Sequence, residues 1–313
     1  MAAIKLDVEK QEAPAGGRVA GVVNLVVETP MAIRGVRLRL CGYERGLVGV
    51  PLKPPVERAG APTAGRHSAE LLSQEIVLTG REPFHNRLES WADTWSCMLG
   101  RRRHPVLQPG EYTYPFAVDL PTDLLPSYIG GACEVRYYLT AYADRPRPIG
   151  SRRPSVCKEI TILPLPVEGV PVSRTEPGLP SATDVVVKVS VDSNVAASGG
   201  ELWVRYHVTN PEGRAIRGLQ GSLFQIERTR RGESKSETTA EVAGRFEPFK
   251  EESAYEQQGE FALALPEDAP PSFEGQYATV AYELRVSAQV AWAVDVEAKL
   301  EVKVAPEQKD RRL

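Results

Sequence analysis

Three guanidinium groups stand side by side at Arg101, Arg102 and Arg103, with His104 directly after them. Arginine forks match the paired oxygens of a phosphate or carboxylate, so this run can hold an anionic lipid head group or a phosphorylated partner tail. The same run suits the C-terminal end of a helix on a solvated face, and both roles are open. A second basic group, Arg228, Arg230, Arg231 and Lys235, flanks Gly232 and is expected at a hairpin tip. There it can meet an anionic membrane surface or simply be solvated. Covalent chemistry finds less support. His67, His85, His104 and His207 are scattered, and none pairs with another ligand at metal spacing. His207 alternates with apolar neighbours and reads as an exposed strand residue. The chain has no nucleophile elbow, phosphate-binding loop or zinc-protease pair. Paired carboxylates such as Glu251-Glu252 read as solvated surface. No catalytic residue, metal site or cofactor is predicted, and the expected activity is recognition.

The elements that position these groups are strands, and they come in two sets. Phe116 to Asp144 aligns without a gap to Phe261 to Gln289, 145 residues further on, with 12 of 29 positions identical. The shared residues include Leu120-Pro121, Pro126-Ser127 and Gly130 against Leu265-Pro266, Pro271-Ser272 and Gly275. Lys5 to Leu40 likewise aligns to Lys188 to Leu223 at an offset of 183, and Ala32-Ile33-Arg34-Gly35 recurs as Ala215-Ile216-Arg217-Gly218. Turn residues repeated at a fixed offset mark a duplicated supersecondary unit. The change of offset leaves 38 extra residues in the first copy between Leu40 and Phe116. Specialised function is expected in that insertion.

Within each copy the apolar residues alternate at period two, as at Ile4-Leu6-Val8, Val19-Gly21-Val23-Leu25-Val27 and Tyr282-Leu284-Val286. Such strands bury one face and wet the other, as in an antiparallel sandwich. Residues 46–66, rich in Pro, Gly and Ala, are expected to form a surface loop. The insertion then changes period: Phe84, Leu88, Trp91, Trp95 and Met98 share one helical face, with Gly100 as the stop. That face is expected to pack on the sheet, with an interfacial membrane helix as the competing reading. Five prolines between Pro164 and Asp184 predict a semi-rigid linker.

Length and charge bound the rest. A chain of 313 residues suits two domains with cores of their own. A net charge of −3 argues against a nucleic-acid partner. Cys41, Cys97, Cys133 and Cys157 lie singly and in one copy only, which predicts reduced thiols. No stretch approaches the roughly 20 apolar residues of a membrane span, and the first ten residues lack a signal core. A cytoplasmic protein is expected, with a peripheral membrane location as the second possibility.

Several of these residues resemble one family. Pro109-Gly110-Glu111-Tyr112, Tyr114-Pro115-Phe116, Leu120-Pro121, Pro126-Ser127-Tyr128 and Val135-Arg136-Tyr137-Tyr138 through Ala143-Asp144-Arg145-Pro146 are similar to the arrestin superfamily, and to its α-arrestins in particular. The resemblance implies an all-β chain of two tandem immunoglobulin-like sandwiches with one short helix. An N-terminal-like domain would span 1–165, a linker 166–183, a C-terminal-like domain 184–306 and a polar tail 307–313. It implies a non-enzymatic adaptor for transport or signalling, whose partner is a cytoplasmic tail or loop of a membrane protein or a trafficking component. No Pro-Pro-x-Tyr motif is present, so ligase recruitment is not implied. Two alternatives stand beside the adaptor: a peripheral protein binding anionic lipids through its basic patches, and a secreted sandwich that binds a ligand.

Overall fold

The computed structural model describes residues 2–46, 68–81, 92, 93, 95, 96, 99, 104–131, 133–146, 154–177, 184–231, 234–249, 251 and 253–306. The chain forms two compact units, Met1–Leu165 and Pro166–Leu313.

Unit 1 contains β1 (Ala2–Val8), β2 (Glu12–Pro14), β3 (Arg18–Val27), β4 (Met31–Ala32), β5 (Gly35–Gly46), β6 (Ser68–Gly80), β7 (Val106–Leu107), β8 (Gly110–Asp119), β9 (Tyr128–Ile129), β10 (Cys133–Asp144) and β11 (Ser155–Leu163). One sheet runs β1-β3-β8, a second runs β2-β11-β10-β5-β6 with β9 added on β10, and β4 and β7 pair as a short two-stranded ribbon. Alternation places Val23, Leu25, Leu38, Leu40, Tyr137 and Leu139 in the core, all fully buried. Each such side chain contributes roughly 1.5–3 kcal/mol by leaving water. The alternate residues of β5 and β10, among them Arg37 and Tyr142, face away from that core and pair across the ladder.

Unit 2 contains β12 (Val172–Pro177), β13 (Val186–Val191), β14 (Val195–Ala197), β15 (Glu201–Thr209), β16 (Ile216–Arg231), β17 (Ser234–Pro248), β18 (Glu256–Ala264), β19 (Phe273–Glu274), β20 (Ala278–Val290) and β21 (Val296–Ala305). Its sheets run β12-β13-β15-β18 and β14-β21-β20-β16-β17, with β19 on β20. Apart from the added edge strand β12 and the β4–β7 pair, which occurs in unit 1 only, the pairing order repeats that of unit 1, down to the parallel pairs β2–β11 and β14–β21. Part of the proline-rich stretch is itself a strand: β12 pairs with β13 as an edge, and its only proline closes it. An edge position is where a strand tolerates a residue that cannot donate to the ladder.

The repeated turn shows why its residues recur. Tyr137 donates its hydroxyl to the Leu125 carbonyl at 2.7 Å, and Tyr282 does the same to Pro270 at 2.7 Å. Ser127 and Ser272 each accept a backbone N–H through the side chain, from Ile162 at 2.8 Å and Val304 at 2.9 Å. Each serine N–H in turn reaches the carbonyl of that same residue. Proline removes a donor from the turn, and these two side chains satisfy the groups left over.

Candidate functional site

Arg34 lies immediately before β5, and three backbone bonds hold its turn. Its N–H reaches the Asp144 carbonyl at 2.8 Å, its carbonyl accepts from Arg81 at 3.0 Å, and Ile33 N–H binds Pro105. With the main chain tied to the ends of β10 and β6, the side chain has one direction to go. It meets Asp93 of the insertion, Nε donating to Oδ2 at 2.7 Å, and its Nη1 lies 3.6 Å from Asp144. Arg37 bridges Asp144 at 3.2 Å and Glu75 at 3.2 Å, and donates to the Arg81 carbonyl. His104 Nε2 lies 3.0 Å from the Asp93 oxygen that Arg34 uses. Arg34, Asp93 and His104 are 4%, 1% and 0% exposed at the side chain. Tyr142 donates its hydroxyl to Glu75 at the rim. Two guanidinium groups thus oppose two buried aspartates, with Glu75 at the rim, a set whose disruption costs far more than its formation contributes. Its chemical role is to pin the insertion to the sheet.

The expected packing of the insertion is corrected at Trp95. Ala92, Asp93, Trp95 and Ser96 are helical, and Leu99 N–H binds the Trp95 carbonyl at 2.9 Å. Two residues along a helix turn about 200°, so with Asp93 held inward Trp95 points outward. It is 53% exposed and Leu99, one turn on, is 60% exposed. Phe84, Leu88, Trp91 and Met98 lie outside the described residues.

The basic candidates fare differently. Arg101, Arg102 and Arg103 lie outside the described residues, as do His67, His85 and Cys97. The second group does sit on a hairpin, for β16 and β17 pair from Gly218 with Pro248 out to Arg230 with Lys235 and Arg231 with Ser234. That tip passes the end of β20, whose last partner on β16 is Thr229. Arg228 is already paired with Glu237 at 2.8 Å on an exposed face, while Arg230 is exposed. His207 forms an exposed pair with Glu256. Cys41 and Cys133 are buried and Cys157 is exposed, and no disulfide joins any two of them. Among the described residues no group of His, Cys, Asp and Glu is placed to hold a metal ion, and no helix is long and apolar enough to cross a membrane.

Sequence reasoning missed the buried cluster, although its central arginine sits in the one four-residue run repeated letter for letter. It also missed a ladder on the outward face of β5 and β10. Tyr43 stacks on Tyr138 with centroids 5.8 Å apart, Arg45 lies over the Tyr43 ring, and Arg45 and Arg136 share Glu134. Burial, with the Tyr138 hydroxyl beside it, raises the Tyr43 phenol well above its ordinary range.

Residues 59–165 and 225–310 both match the family model described as arrestin (or S-antigen), N-terminal domain. Together the two segments span more than half of the chain. The chain belongs to the arrestin family. That one description fits both halves of this arrestin agrees with its internal duplication. A comparison with curated proteins gives no match. Family membership makes the chain an arrestin-like protein of the kind that acts as an adaptor rather than an enzyme.

Proposed function

We propose that this arrestin is a cytoplasmic, non-enzymatic adaptor that binds a cytoplasmic tail or loop of a membrane protein, or a trafficking component. The family match carries this reading; the fold supports it with two sandwiches that offer free sheet edges and a projecting basic hairpin. Unit 1 takes the part of the N-terminal domain and unit 2 that of the C-terminal domain. Arg230, Arg231 and Lys235, with Arg228 released from Glu237, steer acidic segments to the hairpin, and Arg101–Arg103 offer a second anionic contact. Pairs on such exposed sites contribute only about 0–1 kcal/mol each, so charge sets orientation and encounter more than affinity.

A second reading, direct binding to an anionic bilayer, is favoured by the outward Trp95 and Leu99 just ahead of three arginines, and by Trp292, fully exposed in the β20–β21 turn. One experiment with two arms separates the readings. The intact chain is used to capture partners from cytosol and solubilised membranes, and is separately sedimented with phosphatidylserine vesicles. Saturable binding of a purified captured protein supports the adaptor. Vesicle binding lost on changing Arg101–Arg103 to Glu, with no protein retained, replaces it with the lipid reading.

A further inference from the structure

The two copies differ at one seat. Arg217 is the counterpart of Arg34, and its turn is built the same way: Phe249 N–H binds the Arg217 carbonyl at 3.2 Å, as Arg81 N–H binds that of Arg34 at 3.0 Å. Ile33 and Ile216 before them are both buried. In unit 1 the arginine is buried under Asp93. In unit 2 it is exposed, and among the described residues no carboxylate lies within ion-pair distance of it.

The surrounding charges changed together. The alignment puts Gln220 where unit 1 has Arg37 and Gln289 where it has Asp144. With glutamines at both positions, Arg217 has no carboxylate among the described residues to offset its charge. The partner strand places Phe246 against Gln220, where β6 places Val77 against Arg37. Phe246 is 45% exposed, on the rim of a shallow depression shared with Gln220, Gly244 and Arg245. Arg245 is paired with Glu247, so its charge is spoken for.

We infer that this end of the β16–β17 face is a docking seat for an amphipathic helix from a partner, one that presents a single carboxylate to Arg217 and an apolar side chain to Phe246. Charge sets the occupant: with no carboxylate among the described residues within ion-pair distance, Arg217 takes an acid from outside, as Arg34 takes Asp93 of the insertion. Shape agrees, since the same turn in unit 1 already receives a helix of this chain. The inference rests on the adaptor reading only for the claim that the helix comes from another protein.

The test uses the intact chain and, as probe, a fluorescent peptide of residues 84–100 with Cys97→Ser, which omits the arginine run. Saturable binding is expected. Arg217→Ala in the chain should weaken it about tenfold, and Asp93→Asn in the peptide should do the same, with the two changes together costing no more than either alone. Arg217 is a surface residue, so an unchanged circular dichroism spectrum keeps the result interpretable. No saturable binding, binding that Arg217→Ala leaves unaltered, or binding that depends on Arg34 instead overturns the inference. A shift in the oligomeric state of the free chain on Arg217→Ala overturns it as well, since the occupant is then a second copy. None of these outcomes decides whether a captured protein binds elsewhere, which the capture experiment tests on its own.

Discussion

Residue by residue, the structure turns on polar groups placed where water cannot reach. Tyr137 is fully buried, with its hydroxyl donating to the Leu125 carbonyl in the repeated turn. Burial, with the charges of Glu44 and Asp123 adding to it, raises its phenol above the ordinary value. A group that holds its proton more tightly when folded gives its full stabilisation below the unfolded value of about 10 and loses it as pH climbs past that point. Tyr137→Phe should therefore lower stability by about 1–3 kcal/mol at neutral pH, the cost of an unsatisfied buried carbonyl. In the unaltered chain, absorbance at alkaline pH should show tyrosines that titrate only with unfolding, Tyr137 and Tyr43 among them. Titration of every tyrosine near pH 10 while the chain stays folded would contradict this.

At the scale of elements, the strands were legible because a half-buried strand writes its burial into the sequence every second residue. The basic hairpin was legible too, since Gly232 among charges marks a turn. The buried cluster was not. It joins residues 34, 37, 75, 93, 104 and 144, which lie on five separate segments, and each charge taken alone reads as solvated surface. Trp95 misled for a related reason: its spacing joins it to an apolar stripe, but Asp93 two residues earlier is held inward by Arg34 and turns Trp95 out. Gly16 and Gly199 fall opposite each other in the alignment of Lys5–Leu40 with Lys188–Leu223, but that match does not show their left-handed backbone. Their φ values are +71° and +73°, and a Cβ on Gly16 would lie 2.8 Å from the Thr122 methyl. Gly16→Ala should cost about 1–2 kcal/mol in urea unfolding, and Gly199→Ala a similar amount. A neutral result at both would mean that the turns relax freely.

For the molecule as a whole, duplication gave two scaffolds and divergence gave them different surfaces. Unit 1 carries Arg37, Glu75 and Asp144 at the head of β5 and sets Asp93 of a helix on Arg34. Unit 2 has the matching Arg217 exposed, with no carboxylate among the described residues within ion-pair distance. An adaptor gains from this difference, because one half is closed at the seat and the other presents it. The measurement that tests this account most directly compares Arg34→Ala with Arg217→Ala in the intact chain by denaturant unfolding. Removing one partner of a buried ionic set costs about 3–5 kcal/mol, whereas an exposed arginine contributes within about 0.5 kcal/mol. The account predicts a large loss for Arg34→Ala and almost none for Arg217→Ala. Equal losses, or none for Arg34→Ala, would contradict it.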